Sequence, residues 1–118
     1  MNCFFGCEEK KSEKSKDLVS FNSKFIAEID EENYNKYEAE LNSEFEPKYI
    51  GNTIEITKII NANACGEYDG NIDIRKDSLI LIYKLVSNEV CTSRAVVEVR
   101  YKIKNEKRLK YKVGLHYE

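Results

Sequence analysis

The stretch of sequence that decides the fold reads Val97-Glu98-Val99-Arg100-Tyr101-Lys102-Ile103-Lys104. Apolar and charged side chains alternate along it, which is typical of a β-strand with one buried face. A second alternating run covers 109–117, where every other side chain is again apolar. Because the turn-like segment Asn105-Glu106-Lys107 separates the two runs, they predict a β-hairpin over 95–117.

Further strand signals precede this hairpin. Residues 49–50 and 53–57 flank the turn-forming dipeptide Gly51-Asn52 and predict a second hairpin. A third hairpin is predicted over 70–86, and its second strand, 78–86, is apolar on both faces. A strand of that kind is expected to lie in the middle of a sheet, with other parts of the fold covering both of its faces.

One segment, 18–45, carries a helical signal. Aromatic and leucine side chains recur at helical spacing over 34–45, and Asp30 is placed to cap a helix. We therefore predict a helix over 31–45. The residues before it, 23–29, predict a short strand or an irregular lead.

Together these patterns predict a mainly β fold in a single domain over 18–118. We expect an antiparallel sheet of about five to six strands, folded into a sandwich-like or half-barrel core, with one short N-terminal helix. An α+β fold is the alternative. Charged residues make up 34% of the chain and hydrophobic residues 42%, which excludes a chain that is disordered throughout. No apolar run approaches the roughly 18–20 residues that span a bilayer.

Four of the eight tyrosines fall on the predicted buried faces of strands. We expect these to belong to the core: Tyr83, Tyr101, Tyr111 and Tyr117. Tyr68 lies instead in the polar stretch Tyr68-Asp69-Gly70-Asn71. That setting suits contact with a ligand or a partner, and it suits an ordinary turn equally well.

Two of the four cysteines, Cys65 and Cys91, lie in the part of the chain that is predicted to fold. The Asn- and Gly-rich stretch 61–70 predicts a loop around Cys65. In an oxidising compartment the pair is expected to form a disulfide that closes a loop of about 27 residues and fixes both ends of the hairpin 70–86. The alternatives are two free buried thiols in a cytosolic protein, or two metal ligands, for which CxxC spacing is missing.

The chain begins with a short apolar stub, 1–7, followed by a charged segment, 8–17, that has no apolar residue. The stub ends in Phe4-Phe5-Gly6-Cys7, which resembles the end of a bacterial lipoprotein signal, with the small residue and the cysteine in their places. The resemblance implies that Cys7 is diacylated on its sulfur and becomes the mature N-terminus. The acidic pair Glu8-Glu9 after it resembles the surface-export signal of lipoproteins in the Bacteroidetes.

Only five residues precede Gly6, so we expect Met1 to be an internal methionine of a longer gene product, and 1–7 to be the remnant of its signal. Segment 8–17 is expected to be a flexible tether, because it cannot bury enough apolar surface to order itself. The alternative is a frayed terminus in which Cys7 occurs by chance.

Basic side chains are concentrated near the C-terminus. Five of them fall on one predicted outward face of the hairpin 95–117: Arg100, Lys102, Lys104, Lys110 and Lys112. They predict a contact surface for an anionic partner, such as lipopolysaccharide or an acidic protein. The ordinary alternative is a solvated strand face, neutralised by the acidic segment 28–46.

No catalytic constellation is recognisable in the sequence. His116 is the single histidine, and there is no Gly-rich phosphate loop and no metal-spaced cluster. We therefore predict a protein without catalytic activity or cofactor. We expect a small, monomeric lipoprotein domain that is anchored in the outer membrane of the cell envelope and binds a protein or an anionic envelope component, with no nucleic acid. The alternative is a secreted inhibitor or immunity-type protein that acts by stoichiometric protein binding.

Overall fold

The computed structural model describes residues 14–118, which form two packed β-sheets and one short helix. The elements in chain order are β1 (Leu18–Glu28), α1 (Tyr34–Leu41), β2 (Lys48–Ile50), β3 (Thr53–Asn63), β4 (Tyr68–Arg75), β5 (Ser78–Leu85), β6 (Arg94–Lys104) and β7 (Lys112–Tyr117). Four strands form one sheet in the order β1-β6-β3-β2, and three form the other in the order β4-β5-β7. The predicted mainly β, sandwich-like fold with one short helix is confirmed, with seven strands in the described residues.

Two of the three predicted hairpins are present. Strands β2 and β3 pair antiparallel around Gly51, whose positive φ of 58° is a conformation that glycine adopts without strain. Strands β4 and β5 pair antiparallel across the two-residue turn Lys76-Asp77, where Lys76 has a φ of 53°. In both cases a short turn brings the two strands next to each other, so the local sequence fixes this pairing, although β3 also pairs with β6 and β5 also pairs with β7.

The predicted hairpin 95–117 is wrong, although both of its strands exist. Strand β6 pairs with β1 and β3 in the four-stranded sheet, whereas β7 pairs with β5 in the other sheet, and in parallel. The connection between them is closed by Asn105, whose side chain accepts a hydrogen bond from the Leu109 N–H and donates one to the Leu109 carbonyl, each at 3.1 Å. The Tyr111 N–H then donates to the Tyr49 hydroxyl at 3.1 Å. These hydrogen bonds stabilise the connection that leads from one sheet to the other.

Strand β5 lies in the middle of its sheet, as predicted, but only one of its faces is fully buried. Leu79 and Leu81 are completely inaccessible to solvent, whereas Ile80 and Ile82 on the opposite face are partly exposed. The expectation that both faces are covered is therefore wrong. The isoleucines contribute to the strand by their β-branched shape and by partial burial against neighbouring side chains.

The core lies between the sheets and follows the alternation of β3 and β6. Its fully or almost fully buried members in these strands are Ile54, Ile56, Ile60, Ala62, Ala95, Val97, Val99, Tyr101 and Ile103. The Tyr101 hydroxyl donates a hydrogen bond of 2.7 Å to the Ile82 carbonyl of the opposite sheet. The Phe21 ring of β1 packs against Gly70 of β4, where a Cβ atom would overlap the ring. These two contacts set the close approach of the sheets.

Helix α1 is shorter than predicted and none of its residues is buried. Asp30 caps the turn before the helix, because its carboxylate accepts the N–H groups of Glu32 and Asn33 at 2.9 and 2.8 Å. At the other end the Lys58 ammonium of β3 donates to the carbonyls of Glu40, Leu41 and Ser43 at 3.0, 3.1 and 3.0 Å.

Lys58 lies between Ile56 and Ile60 on the same buried face of β3 and is itself only 8% exposed. This burial lowers the pKa of Lys58. A buried lysine of the sheet therefore supplies the donors that the last turn of α1 needs.

The domain makes its first described contacts at Lys14. The Lys14 ammonium pairs with Asp69 at 2.6 Å, and this contact holds the pKa of the Asp69 carboxyl below its usual value. The Ser15 N–H donates to the Asn71 side chain at 2.7 Å. Cys7 and most of the predicted tether lie outside the described residues. Within residues 14–118, the single helix falls well short of the length and apolar character of a membrane span.

Candidate functional site

The predicted disulfide is present. Cys65 and Cys91 are bonded, with their Cα atoms 5.7 Å apart, and join the β3–β4 loop to the β5–β6 connection. The loop around Cys65 is shorter than predicted, because 61–63 belong to β3 and β4 begins at Tyr68. The bond excludes both the free-thiol and the metal-ligand interpretation of this pair. It indicates an oxidising, extracytoplasmic compartment.

The side chain of Asn63 holds the two half-cystines together. Its amide oxygen accepts the N–H groups of Cys65 and Cys91 at 3.0 and 3.2 Å, and its amide nitrogen donates to the Cys91 carbonyl at 2.6 Å. The chain on both sides of the disulfide is therefore fixed by a covalent bond and by three hydrogen bonds.

A cavity of about 320 Å³ opens beside this disulfide. It lies where β3, β4, β5, β6 and β7 each begin or end, and we call it the tyrosine cavity. Its lining residues are Asn61, Asn63, Tyr68, Tyr83, Leu85, Val90, Arg94 and Tyr117. Its volume falls at the lower end of the range typical of small-molecule sites.

Three tyrosine rings form one wall of the cavity. The Tyr83 ring lies between those of Tyr68 and Tyr117, at centroid distances of 6.0 and 5.0 Å. The Tyr68 hydroxyl accepts the Asn63 N–H at 2.9 Å, which fixes that ring across the cavity. Burial raises the pKa of Tyr83, so its hydroxyl keeps its proton at neutral pH. Since residues 14–118 offer this hydroxyl no hydrogen-bond partner, it is free to bond a ligand.

Arg94 is the one charged side chain in the lining. Its Nε and one Nη donate to the side-chain and backbone oxygens of Asn61, both at 3.1 Å. Among the described residues no carboxylate forms an ion pair with this guanidinium. The opposite edge of the planar group therefore remains available for an anion.

The structure does not bring the five predicted basic residues onto one face. Arg100, Lys102 and Lys104 are exposed along β6, where Arg100 pairs with Glu98 at 3.0 Å and Lys102 lies opposite Glu55. Acids on the same sheet, Glu98 and Glu55, thus lie next to this patch.

The two remaining basic residues lie elsewhere. Lys112 belongs to β7 in the other sheet, and the Lys110 ammonium lies 4.2 Å from the centroid of the Tyr49 ring. The expected continuous basic surface is therefore divided. The prediction of an anionic partner for the β6 residues remains a prediction.

One other concave surface is larger but has no basic side chain in its lining. A larger cleft of about 420 Å³ lies between 43–47 and β7, with Glu44 as its one charged side chain and Tyr111 and Phe45 as its rings. No three His, Cys, Asp or Glu side chains of residues 14–118 come together as a metal site would require. The tyrosine cavity is the place where rings, free donors and a fixed cation meet.

Some of the residues that line the tyrosine cavity could be predicted from the sequence. Tyr83 was predicted to face inward and packs against the core, and Tyr68 was a candidate for ligand contact. The prediction that Tyr117 belongs to the core is wrong, because Tyr117 near the end of β7 is 52% exposed. Arg94 and Asn61 were missed, because they lie 33 residues apart and meet only through the pairing of β3 with β6. The one available signal was that Arg94 opens a strand whose other basic residues alternate regularly.

No known protein family, curated protein or solved structure matches this chain. The interpretation of the cavity therefore depends on its own residues. Rings that offer broad apolar faces, an exposed guanidinium hydrogen-bonded to Asn61 and a neutral phenol donor can hold a small ligand by contact and by hydrogen bonds.

Proposed function

We propose that this chain is the ligand-binding domain of a small lipoprotein of the bacterial cell envelope, and that it acts by binding without catalysis. The observation that carries the proposal is the tyrosine cavity beside the Cys65–Cys91 disulfide. Binding sites of this size use apolar walls with a few directed polar groups. The three rings, the Tyr83 hydroxyl and Arg94 supply both.

The hydrogen bonds that hold side chains of the cavity wall in place support this proposal. Asn63 bonds to both half-cystines and to the Tyr68 hydroxyl, and Asn61 holds the Arg94 guanidinium. Side chains that are already fixed lose little conformational freedom when a ligand binds. The disulfide then has a function: it keeps the binding surface in shape.

A screen of small compounds against the full-length protein tests the binding function. We expect at least one class of ring compounds to shift the NMR resonances of the cavity residues, and Tyr83→Leu to weaken its affinity about tenfold by removing a ring and a donor. Tyr34→Leu is the matched control, because Tyr34 is exposed on α1, away from the cavity. A screen without cavity shifts, or an affinity that Tyr83→Leu leaves unchanged, would contradict the proposal.

The anchor at Cys7 is proposed from the likeness of Phe4-Phe5-Gly6-Cys7 to a lipoprotein signal, and the disulfide supports the same oxidising side of the membrane. We expect labelled palmitate to be incorporated into the full-length gene product and to be lost in Cys7→Ser. Cys3→Ser is the matched control and should keep the label. Label that persists in Cys7→Ser would remove the anchor from the proposal.

One feature favours stoichiometric protein binding as a second candidate function. The β5–β6 connection, 86–93, is held by Cys91 and exposes Val86 and Val90, which are 49% and 59% accessible. A constrained loop with exposed apolar side chains suits insertion into a partner protein. If this is the function, Val86→Ser should abolish capture of a specific partner, while binding of small compounds to the tyrosine cavity stays unchanged.

A further inference from the structure

The tyrosine cavity carries a chemical preference that goes beyond the ability to bind. Arg94 is the only charged residue in its lining, so the electrostatic field inside it favours an anion. The Tyr83 phenol next to Arg94 stays protonated, since burial raises its pKa. No negative side chain of the lining therefore cancels the charge of Arg94.

The hydrogen bonds that the Arg94 guanidinium already makes indicate which class of anion the cavity can bind. Asn61 occupies the Nε and one N–H of the adjacent Nη, both at 3.1 Å. The end of the guanidinium that carries both Nη atoms keeps two parallel N–H donors. This edge matches the two oxygens of a carboxylate in a bidentate pair.

The tyrosine rings favour a ring next to that carboxylate. Tyr83 and Tyr117 form a tilted pair with centroids 5.0 Å apart, and together they present flat apolar surface. A volume of about 320 Å³ accommodates one six-membered ring with its substituents and is small for a chain of such rings. The Tyr83 hydroxyl can donate to a ring substituent.

We propose that the tyrosine cavity binds a carboxylate carried on a single six-membered ring, with the carboxylate on Arg94 and the ring against Tyr83 and Tyr117. This inference rests on the proposed binding function and specifies its ligand class. Two sources share this chemistry, namely a uronic acid and an aromatic carboxylic acid. Both place a six-membered ring one bond away from the charged group: a planar ring in the aromatic acid, and a chair with an apolar C–H face in the uronic acid.

Four probes in matched pairs test the inference on the full-length protein: glucuronate with glucose, and benzoate with benzamide. Titration followed by NMR should show that at least one acid binds about tenfold more tightly than its neutral counterpart. The pair that responds identifies the source, sugar or aromatic. The shifted resonances should be those of Tyr83, Tyr117 and Arg94.

Arg94→Gln should reduce the affinity for the acid to that of its neutral counterpart, about tenfold, because glutamine keeps hydrogen-bonding capacity without charge. Arg75→Gln is the matched control, since Arg75 is highly exposed at the end of β4 and outside the cavity. Both variants should unfold at the wild-type temperature, which shows that the effect is on binding.

Two results would overturn the ligand class and leave the binding function standing. In one, the neutral probes bind as tightly as the acids. In the other, Arg94→Gln leaves the affinity for the acid unchanged. If none of the four probes binds, the ring-carboxylate class is wrong, and the broader compound screen decides separately whether the cavity binds small molecules.

Discussion

Gly70 of β4 lies directly against the Phe21 ring of β1 in the other sheet. It lies buried in β4, and a Cβ atom built there would overlap the body of the Phe21 ring, not its flexible end. The centroid of the Phe21 ring lies 5.0 Å from that of the Tyr101 ring, in an edge-to-face arrangement. Because Tyr101 packs against it, the Phe21 ring has little room to move. Glycine is required at this position because of space, since its φ is not positive.

We therefore predict that Gly70→Ala lowers the free energy of unfolding by about 1–3 kcal/mol, the usual cost of overpacking a core. Gly114→Ala is the matched control in β7, where the nearest atom to a new Cβ is the flexible end of Ile80 at 3.4 Å. Its effect should stay within about 0.5 kcal/mol. Urea unfolding of both variants measures the difference, and equal effects at the two glycines would refute this account of Gly70.

The hydroxyl of Tyr101 provides a second prediction at a single residue. Tyr101→Phe removes the hydrogen bond to the Ile82 carbonyl and should lower the free energy of unfolding at pH 7 by about 1 kcal/mol. Ring packing against Phe21 is retained in phenylalanine, so the loss should come from the hydrogen bond. A variant as stable as the wild type at pH 7 would mean that the contact contributes nothing.

The same side chain makes the stability depend on alkaline pH. Burial raises the pKa of Tyr101 far above that of an unfolded tyrosine, near 10. The folded state therefore keeps the proton that the unfolded state loses, and its stability falls as the pH rises above about 10. The difference in unfolding free energy between wild type and Tyr101→Phe should shrink between pH 9 and about 11, as measured by denaturant titrations. A difference that is constant over this range would contradict the burial of the phenol.

The alternation of apolar and polar side chains predicts which segments form strands, but it does not predict which strands pair with each other. β6 and β7 both alternate regularly, but a two-residue period specifies the face of a side chain and not its partner strand. Pairing over short turns was predictable, as for β2 with β3 and β4 with β5. The pairing of β7 with β5 depends on contacts distant in sequence, such as the Tyr111 N–H with the Tyr49 hydroxyl, and no local pattern reports it.

Some residues of the candidate site could likewise be predicted from the local sequence, and others could not. Tyr83 and Tyr117 were predicted to face inward because each lies on an alternating strand, which holds for Tyr83 and not for the exposed Tyr117. The Cys65–Cys91 disulfide beside the cavity was predicted from the cysteine pair, whereas Arg94 and Asn61 come together through strand pairing alone. The local sequence thus points to tyrosines of the cavity wall, whereas the tertiary fold determines where the positive charge of Arg94 lies.

Helix α1 is held by one lysine of the sheet, which leads to a prediction for this element. A helix of eight residues with no buried side chain is not stable alone. Lys58→Met removes the donors to the Glu40, Leu41 and Ser43 carbonyls, so α1 should detach while β3 stays paired with β6.

Hydrogen exchange measures this detachment. Amide protons of α1 should exchange about tenfold faster in Lys58→Met, whereas those of β6 should keep their protection. Lys24→Met on the exposed edge strand β1 is the matched control and should leave α1 unchanged. Unchanged exchange in α1 of the Lys58 variant would show that the helix is held by other contacts.

For the whole molecule, the disulfide adds a stability that side-chain packing alone does not supply. It joins two connections that are 26 residues apart in sequence and next to each other in space. Closing a loop of this size restricts the unfolded chain, and the chain-entropy relation gives a contribution of about 3.5 kcal/mol. That is a large share of the roughly 5–15 kcal/mol by which a domain of this size is stable.

Cys65→Ser with Cys91→Ser should therefore lower the free energy of unfolding by about 3.5 kcal/mol in urea titrations. Reduced wild-type protein should show the same loss, because the effect resides in the covalent link. Since Asn63 still bonds to the backbone of both positions, we expect the folded double variant to keep the wild-type β-sheet circular dichroism spectrum. A double variant as stable as the oxidised protein would show that the unfolded chain is not restricted by this link, and that the two connections stay together through the Asn63 hydrogen bonds alone.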